Sequence, residues 1–407
     1  MVRCPVTVLA LLVPWMANAA LAEVPIQETV LTRFPGGPAG AYPAAGLVRD
    51  VKGNLYGVTS QGGTCGSPVL NGVVFRLSPP AAGKTAWTET VLLDFCAQGG
   101  APEGTLVMDA SGALYGTAYD GGKHGLGTVF KLAPPPAGKT KWTATVLLDF
   151  DGTAGAYPYG GLAADSAGNL YGTTSQGGTG AGVVFKLTKP AVATGKWVAS
   201  VLHRFVATSD GFFPFLGSLA IDGTGAVYGT NSGGGAHGYG TVFRLTPPKA
   251  GKTAWGFSVL YAFAAGDDGS TPKGGVILDS AGAVYGTTYG GTPGGWGSVF
   301  KLTPPAKAAD AWTETQIKVF MGGSDGGLPY AALTWGPGGV LYGTASNVFA
   351  LSPDTGGGWS YSVLHAFGAA GDGNIPEGPM ILDAAGDLYG TTYSGGSNDG
   401  TVFMVAP

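Results

Sequence analysis

The feature that most constrains this chain is a Tyr-Gly pair that recurs seven times, at intervals of 47 to 59 residues. Each pair lies within one repeated unit of four short β-rich runs, which are separated by turn residues and show no helical periodicity. A period in the fifties with four strands per unit is typical of the blades of a β-propeller. The tyrosines of the seven pairs are Tyr56, Tyr115, Tyr171, Tyr228, Tyr285, Tyr342 and Tyr389.

The composition favours a packed propeller over a disordered chain. Gly accounts for 75 of the 407 residues, a content that can indicate disorder. However, 44% of the residues are hydrophobic and 11% are aromatic, which is enough to bury a core. The middle runs of each unit, such as residues 128–132, are apolar on both faces. This pattern suits a sheet that is buried between two neighbouring blades.

The two ends of the repeat series predict how the ring closes. Seven Tyr-Gly runs occur, but only six of the units continue to a last run between a Trp and a Phe, because the seventh unit stops at residues 401–405. Residues 26–34 align with the Trp87–Phe95 run and supply the missing strand. Closure in this way removes the open edges of a linear stack. We predict an all-β, seven-bladed β-propeller with four-stranded blades, whose last blade is closed by the N-terminal strand.

The first 22 residues have the order of a secretory signal peptide. Arg3 precedes an apolar run from Val6 to Trp15, and small residues lead to a cleavage site after Ala22, with Ala19 as an alternative. We therefore predict a signal peptide at residues 1–22 and a single propeller domain at residues 23–407. The mature chain has no second hydrophobic segment long enough to span a membrane, so we expect a secreted or periplasmic protein.

The net charge of −4, with no cluster of Lys or Arg, argues against a nucleic-acid partner. Charged residues make up 11% of the chain, less than half of the usual content. We expect a monomer without a cofactor.

The units run from Leu-Tyr-Gly-Thr-Thr through Gly-Gly to Gly-Thr-Val-Phe-Lys-Leu-Thr-Pro, and they resemble the GloVer tandem repeat of choice-of-anchor surface proteins. The resemblance covers nearly all of the mature chain. It implies secretion or surface display, and it carries no catalytic residues over. No anchoring segment is recognisable after Pro407, so we expect free secretion or periplasmic residence rather than attachment.

An Asp-x-x-Gly motif precedes the Tyr-Gly pair in six units. A ring of carboxylate ligands is one interpretation, but repeat six has Gly336 at this position, which favours turn chemistry. The Asp-Gly pairs at residues 268, 325 and 372 lack the spacing of a calcium loop, so we interpret them as turns. The six aspartates are Asp50, Asp109, Asp165, Asp222, Asp279 and Asp383.

Histidines and cysteines are few. His203 and His365 occupy equivalent positions in two units, while the other two histidines lie in loops of non-adjacent units, so we predict no metal site. Cys65 and Cys96 remain after removal of the signal peptide and fall in loops on one face, and we predict a disulfide between them.

The residue after the opening Pro varies in size and charge, although the surrounding scaffold repeats nearly unchanged. In the propeller this residue enters the innermost strand, at the mouth of the central channel. Aromatic and carboxylate side chains at a concave mouth suit a sugar or peptide ligand, although drift at an exposed loop is an alternative. After Ala44 of the first unit, the predicted ligand-binding residues are Glu103, Tyr159, Phe215, Lys273, Tyr330 and Glu377.

Three functions are compatible with this pattern. The first is a non-catalytic binding or scaffold propeller whose channel-mouth face engages a polysaccharide or an envelope protein. The second is a glycan hydrolase or lyase that uses Glu103 and Glu377, with Lys273 as a charge partner. Glycosidic cleavage needs two carboxyls at close range, and we expect these two to be too far apart, since one blade separates their blades. The third is a purely structural surface protein.

Overall fold

The computed structural model describes residues 28–64, 71–96, 99–192, 194–215, 217–307, 310–396 and 399–407. In this part of the chain, seven four-stranded antiparallel sheets follow one another as the blades of a propeller. The predicted signal peptide and Cys65 lie outside the described residues, so the signal peptide and the Cys65–Cys96 disulfide stay predictions. No helix among the described residues has the length and apolar character needed to cross a membrane.

The strands are named here by their position in each blade, from innermost to outermost. Blades one to three contain, in this order, Val48–Arg49, Leu55–Thr59, Val73–Ser78 and Thr88–Asp94; Val107–Met108, Leu114–Ala118, Thr128–Ala133 and Thr143–Asp149; Ala163–Ala164, Leu170–Thr174, Val183–Thr188 and Val198–Arg204. Blades four to six contain Ala220–Ile221, Val227–Asn231, Thr241–Thr246 and Gly256–Ala262; Ile277–Leu278, Val284–Thr288, Ser298–Thr303 and Thr313–Val319; Thr334–Trp335, Leu341–Thr344, Asn347–Pro353 and Trp359–Ala366.

Blade seven contains Ile381–Leu382, Leu388–Thr392, Thr401–Val405 and the N-terminal strand Glu28–Arg33. A short additional ladder pairs Gly373–Asn374 with Ser394–Gly395. The described segments also contain three single-turn 3₁₀ helices, at Gly37–Ala39, Gly323–Asp325 and Pro337–Gly339.

The closure predicted from the sequence is confirmed. The N-terminal strand pairs antiparallel with the last strand of the chain, from Glu28 opposite Val405 to Arg33 opposite Thr401. Phe34, at the end of this strand, is fully buried in a cluster that joins blades seven and one, and it packs edge-on against Phe75. The two ends of the chain therefore share one blade, and hydrophobic contacts continue around the whole ring.

The Gly of each Tyr-Gly pair is explained by close packing across the second and third strands. Gly116 lies opposite Phe130 in the ladder, and a Cβ atom on this Gly would come within 2.7 Å of both the Phe130 ring and the Leu106 side chain. The same conflict recurs at Gly57 and Gly229. A side chain at these positions would displace a buried aromatic ring, so the motif reflects core packing.

The turn interpretation of Asp-x-x-Gly is confirmed. The carboxylate of Asp165 accepts hydrogen bonds from the backbone N–H groups of Ala167 and Asn169, and Gly168 has a φ of 80°. Its second oxygen accepts a hydrogen bond of 3.0 Å from the hydroxyl of Tyr171, the tyrosine of the Tyr-Gly pair. The two repeated motifs are thus parts of one hydrogen-bonded unit. The same Asp–Tyr pair occurs in every blade that has the Asp.

Candidate functional site

One face of the ring carries the connections between blades and the loops between second and third strands. These two sets of loops pair through isolated bridges, for example Ala156 with Gln176 and Gly100 with Asp120. The loops therefore support one another and form a continuous collar around the central channel. This collar is called the mouth here.

The residue before the opening Pro has a left-handed backbone in every blade. Such a conformation in a non-glycine residue costs on the order of 1–3 kcal/mol, so it needs support from its surroundings. At Tyr157 the N–H donates to the carbonyl of Leu126 (2.8 Å), and the carbonyl accepts from the N–H of Ser175 (3.0 Å). The seven residues have φ between 45° and 58° and are Tyr42, Ala101, Tyr157, Phe213, Thr271, Leu328 and Ile375.

The residues just after the opening Pro crowd around the channel axis. A Cβ atom on Gly104 would meet the backbone of Gly160 in the next blade at 2.6 Å, and one on Gly378 would meet the backbone of Ala45 at 2.5 Å. Blades approach this closely near the axis, where the ring is narrowest. The variable position that precedes these small residues in the chain is therefore held at the mouth of the channel.

The structure brings the predicted binding residues together, and four of them make ring contacts. Tyr159 stacks on Phe215 with the ring centroids 4.7 Å apart. The Lys273 ammonium group lies 4.0 Å from the centre of the Tyr330 ring and 5.4 Å from that of Phe215. It is also 3.5 Å from the ring of Tyr289. These contacts are cation–π interactions, and they place Lys273 in an aromatic cage.

The two predicted carboxyls, Glu103 and Glu377, are buried and interact electrostatically. Burial raises the pKa of Glu103 to about 7, although the Tyr159 hydroxyl donates a hydrogen bond to its carboxyl. Burial likewise raises the pKa of Glu377 to about 7, and the negative charge of Glu103 adds to this effect. The two carboxyls thus interact electrostatically across the intervening blade, while the expectation that they are too far apart for glycosidic cleavage stays a prediction. The innermost positions converge on the axis, so alternate blades are within electrostatic range.

Lys273 is the cation of this cluster. Its pKa is lowered by burial, and the charge of Glu377 opposes that shift. In turn, Lys273 lowers the pKa of Glu377. Aromatic rings, one ammonium group and two carboxyls that can change protonation near neutral pH therefore meet at the mouth.

A second set of aromatic residues at the mouth escaped the sequence analysis. Tyr119 contacts both Tyr157 (5.2 Å) and Tyr159 (5.3 Å), and Tyr393 lies 4.9 Å from Tyr42. Tyr119, Tyr289 and Tyr393 each lie four residues after the Tyr of a Tyr-Gly pair. The other four units have Ser at this position. Variation between Ser and Tyr was the signal that could have identified this second variable position.

The outer part of the mouth exposes apolar side chains. Phe213, Tyr239, Trp296 and Ile375 are each at least 40% exposed. Exposed aromatic side chains beside a half-buried polar cluster are common in binding sites for sugars and peptides. A separate groove of about 520 Å³ lies far from the mouth, between the outermost strand of blade one and the hairpin at residues 134–142. It contains none of the variable mouth residues.

Four pairs at the rim of the blades, all within the described part of the chain, were also missed. In each, a residue near the end of the outermost strand binds an Asp seven positions later in the chain, and this Asp also accepts a hydrogen bond from backbone N–H. The Asp-Gly loops at residues 268, 325 and 372 belong to this set, in agreement with the predicted turn chemistry. The pairs are His203–Asp210 (2.8 Å), Tyr261–Asp268 (3.0 Å), Lys318–Asp325 (2.6 Å) and His365–Asp372 (3.2 Å).

A family model described as the Gloeobacter/Verrucomicrobia repeat matches residues 21–224 and 180–403. The chain belongs to the Gloeobacter/Verrucomicrobia repeat family. Membership confirms the resemblance to the GloVer repeat over most of the chain. A search of curated proteins finds no match to this member of the family.

Solved structures share the fold of this Gloeobacter/Verrucomicrobia repeat protein. One is described as the extracellular domain of a one-component system, BT4673, from B. thetaiotaomicron, with a TM-score of 0.56 and 14% identity over 93% of this chain. Another is described as the extracellular domain of a hybrid two-component system, BT3049, of the same organism, with a TM-score of 0.55 and 13% identity over 94% of this chain. The chain spans 41% of the length of each. At these identities, the likeness shows the fold.

Proposed function

We propose that this protein is a secreted, non-catalytic binding propeller whose mouth engages an extracellular polysaccharide or an envelope protein. The observation that carries this proposal is the contrast between a repeated scaffold and a variable mouth. The packing Gly and the Asp–Tyr turns recur almost unchanged, while the residue after the opening Pro ranges from Ala44 to Lys273. Surfaces that vary on a constant scaffold are typical of recognition.

The chemistry of the mouth suits a polysaccharide as the first ligand to test. Exposed rings such as Trp296 and Phe213 offer flat apolar surfaces to sugar rings, and the carboxyls of Glu103 and Glu377 offer acceptors for hydroxyl groups. The strained backbone before each Pro holds part of this surface in place. A pre-formed site of this kind loses little conformational entropy on binding.

An extracellular location is part of the same proposal. The signal-peptide pattern at residues 1–22 and the membership of a repeat family that implies secretion or surface display support it. Solved structures of the same fold that are described as extracellular domains add support. The domain from residue 23 to residue 407 would then be the mature protein in the periplasm or outside the cell.

The proposal is tested by pull-down of residues 23–407 on insoluble polysaccharides and envelope fractions. The wild type is compared with a Tyr159→Ala/Tyr330→Ala variant. It is also compared with a milder Trp296→Ala/Phe213→Ala variant, which changes the exposed outer part of the mouth. Val192→Ala, at a side chain that is 64% exposed outside the mouth, is the control. Binding that both mouth variants weaken at least tenfold, and the control does not, is the expected result. Equal binding by all four proteins would contradict a mouth site.

A second candidate function is glycan cleavage, because Glu103 and Glu377 are coupled and both have a pKa of about 7. A carboxyl with a raised pKa can act as a general acid near neutral pH, and a second one can act as a base or nucleophile. Glycans retained in the pull-down are incubated with the protein and analysed for new reducing ends. Activity that survives both Glu103→Gln and Glu377→Gln would eliminate this pair.

A further inference from the structure

A cluster at the junction of blades six and seven contains Glu28, His365 and Asp372. Glu28 comes from the N-terminal strand, while the other two residues form the last of the four rim pairs. The His365 Nε2 atom lies 3.6 Å from Oε2 of Glu28 and 3.2 Å from Oδ2 of Asp372. The three ligand atoms all lie within 4.8 Å of one another.

The cluster is buried, and one of its oxygen atoms has no partner. The side chains of Glu28 and Asp372 are only 5% and 4% exposed, and that of His365 is 15% exposed. The Oε1 atom of Glu28 is buried without a hydrogen-bond partner. Two buried carboxyls beside one another are costly unless they share a proton or a positive charge compensates them. The Glu28 carboxyl is therefore only partly satisfied by the protein, and a cation beside its Oε2 atom would compensate it.

In two of the other three rim pairs, the neighbouring blade places an aromatic ring over the pair, while in the third, Tyr261–Asp268, it places the carboxyl of Glu314 near Asp268. Phe257 of blade four stacks on His203 of blade three, with the ring centroids 3.7 Å apart. Tyr361 of blade six covers Lys318 of blade five at 4.3 Å. At the junction of blades six and seven, the corresponding strand position is Glu28. Among the described rim pairs, this one combines an imidazole, an aspartate and a buried carboxylate from the next blade.

We propose that Glu28, His365 and Asp372 bind a divalent metal ion, best Zn²⁺, which links the N-terminal strand to blade six. Zn²⁺ binds imidazole nitrogen and carboxylate oxygen at about 2.0–2.2 Å in tetrahedral sites, so neighbouring ligand atoms are about 3.3 Å apart. The two separations from His365 Nε2, 3.2 and 3.6 Å, are close to this value, and the two carboxylate oxygens lie within 4.8 Å of each other. Two carboxylates also balance the charge of the ion.

The ligands are held in place before the metal binds. Asp372 accepts hydrogen bonds from the backbone N–H groups of Gly368 (3.0 Å) and Gly373 (2.9 Å). Glu28 is fixed by its strand, which pairs with residues 401–405. With three protein ligands, the fourth position of the tetrahedron is open to water. Because one ligand lies near the N-terminus and two lie near the C-terminus, the ion would act as a clip on the closed ring.

The site is tested with tag-free protein that has been stripped with a chelator. Titration calorimetry with Zn²⁺ alone should show one equivalent bound, and the melting temperature should rise by several degrees, because a ligand that binds only the folded state stabilises it. Parallel titrations use Ca²⁺ and Mg²⁺. Absence of Zn²⁺ binding, or tight binding of Ca²⁺ or Mg²⁺ in its place, would overturn the proposal.

Variants locate the site. Glu28→Gln keeps the shape of the side chain and should weaken Zn²⁺ binding at least tenfold, as should His365→Gln. The matched control is His203→Gln, which removes the equivalent histidine where Phe257 replaces the third ligand. This control should bind Zn²⁺ like the wild type. Zn²⁺ affinity that is unchanged in Glu28→Gln, or that falls equally in His203→Gln, would show that the ion binds elsewhere and would overturn the assignment.

Discussion

At the scale of the residue, a single carboxylate ties two repeated motifs together. Asp109 accepts hydrogen bonds from the N–H groups of Ser111 and Ala113 and from the hydroxyl of Tyr115. These bonds lower the pKa of Asp109 against the opposing effect of burial. The same carboxylate raises the pKa of Tyr115, which is also raised by burial. The turn and the adjacent strand are therefore coupled through one partly buried hydrogen bond.

Removal of this hydroxyl tests the coupling. Tyr115→Phe should lower the free energy of unfolding by about 0.5–1.5 kcal/mol, because the Asp109 carboxylate loses one hydrogen bond. Blade six provides the control, since Gly336 replaces the Asp there and Tyr342→Phe removes no such bond. Urea unfolding of the two variants is the measurement. Equal destabilisation by both substitutions would contradict the role assigned to the Asp–Tyr bond.

The carboxyls at the mouth predict a pH dependence of stability. Glu103 and Glu377 each have a pKa of about 7 in the folded protein, above the ordinary value of 4.5. The folded state therefore binds protons more tightly than the unfolded state. The free energy of unfolding contributed by these groups is greatest below about pH 4.5 and falls as the pH rises to about 7.

The double variant Glu103→Gln/Glu377→Gln should reduce this slope. Each pKa unit corresponds to about 1.4 kcal/mol, and partial exposure and coupling reduce the total, so we expect the loss between pH 5 and pH 7 to shrink by about 1–3 kcal/mol. Urea unfolding at several pH values measures it. Asp310→Asn, at an exposed carboxyl in the hairpin between the third and fourth strands of blade five, is the control. An unchanged slope in the double variant would refute the buried, coupled state of the two carboxyls.

At the scale of the element, the strand motif depends on the absence of a side chain. A Cβ atom on Gly229 would meet the Phe243 ring at 2.6 Å and the Leu219 side chain at 2.7 Å. The second strand could not pair in register with the third without displacing this ring. The Tyr-Gly pair therefore marks the second strand of each blade and also allows this strand to pack closely against the third strand.

Gly229→Ala should destabilise the protein by about 1–3 kcal/mol through overpacking. The control in the same blade is Gly223→Ala, where no atom lies within 4 Å of the added Cβ and the backbone φ is not left-handed. This control should leave stability unchanged or raise it slightly. Thermal unfolding of both variants is the measurement. A Gly229→Ala protein as stable as the control would show that the ring can move at little cost.

At the scale of the whole molecule, the N-terminal strand decides whether the ring has an edge. This strand covers Thr401–Val405, whose backbone groups would otherwise face solvent. It also places Phe34 in the cluster between blades seven and one. Closure therefore combines backbone pairing with burial of an aromatic ring.

A chain that begins at residue 35 should melt at a temperature at least several degrees lower and should associate through the exposed edge. Scanning calorimetry and size-exclusion chromatography measure the two effects. A synthetic peptide of residues 26–34 should restore part of the stability, whereas the same peptide with Phe34→Ala should restore less. A truncated protein that melts like the wild type and stays monomeric would contradict the closing role of this strand.

The sequence by itself determined the blade count, the strand order, the closure and the turn motifs. Because the same pattern occurs seven times, an ambiguous strand assignment in one unit is resolved by the other units. The number of blades then follows from counting the units, without any knowledge of distances between residues. The positions at the mouth were also predictable as variable sites on a repeated scaffold. Their contacts were decided only by the tertiary structure, because the ring radius brings Glu103 and Glu377 within electrostatic range. The Glu28–His365–Asp372 cluster depends on closure in the same way, since residues at opposite ends of the chain become neighbours only in the folded ring.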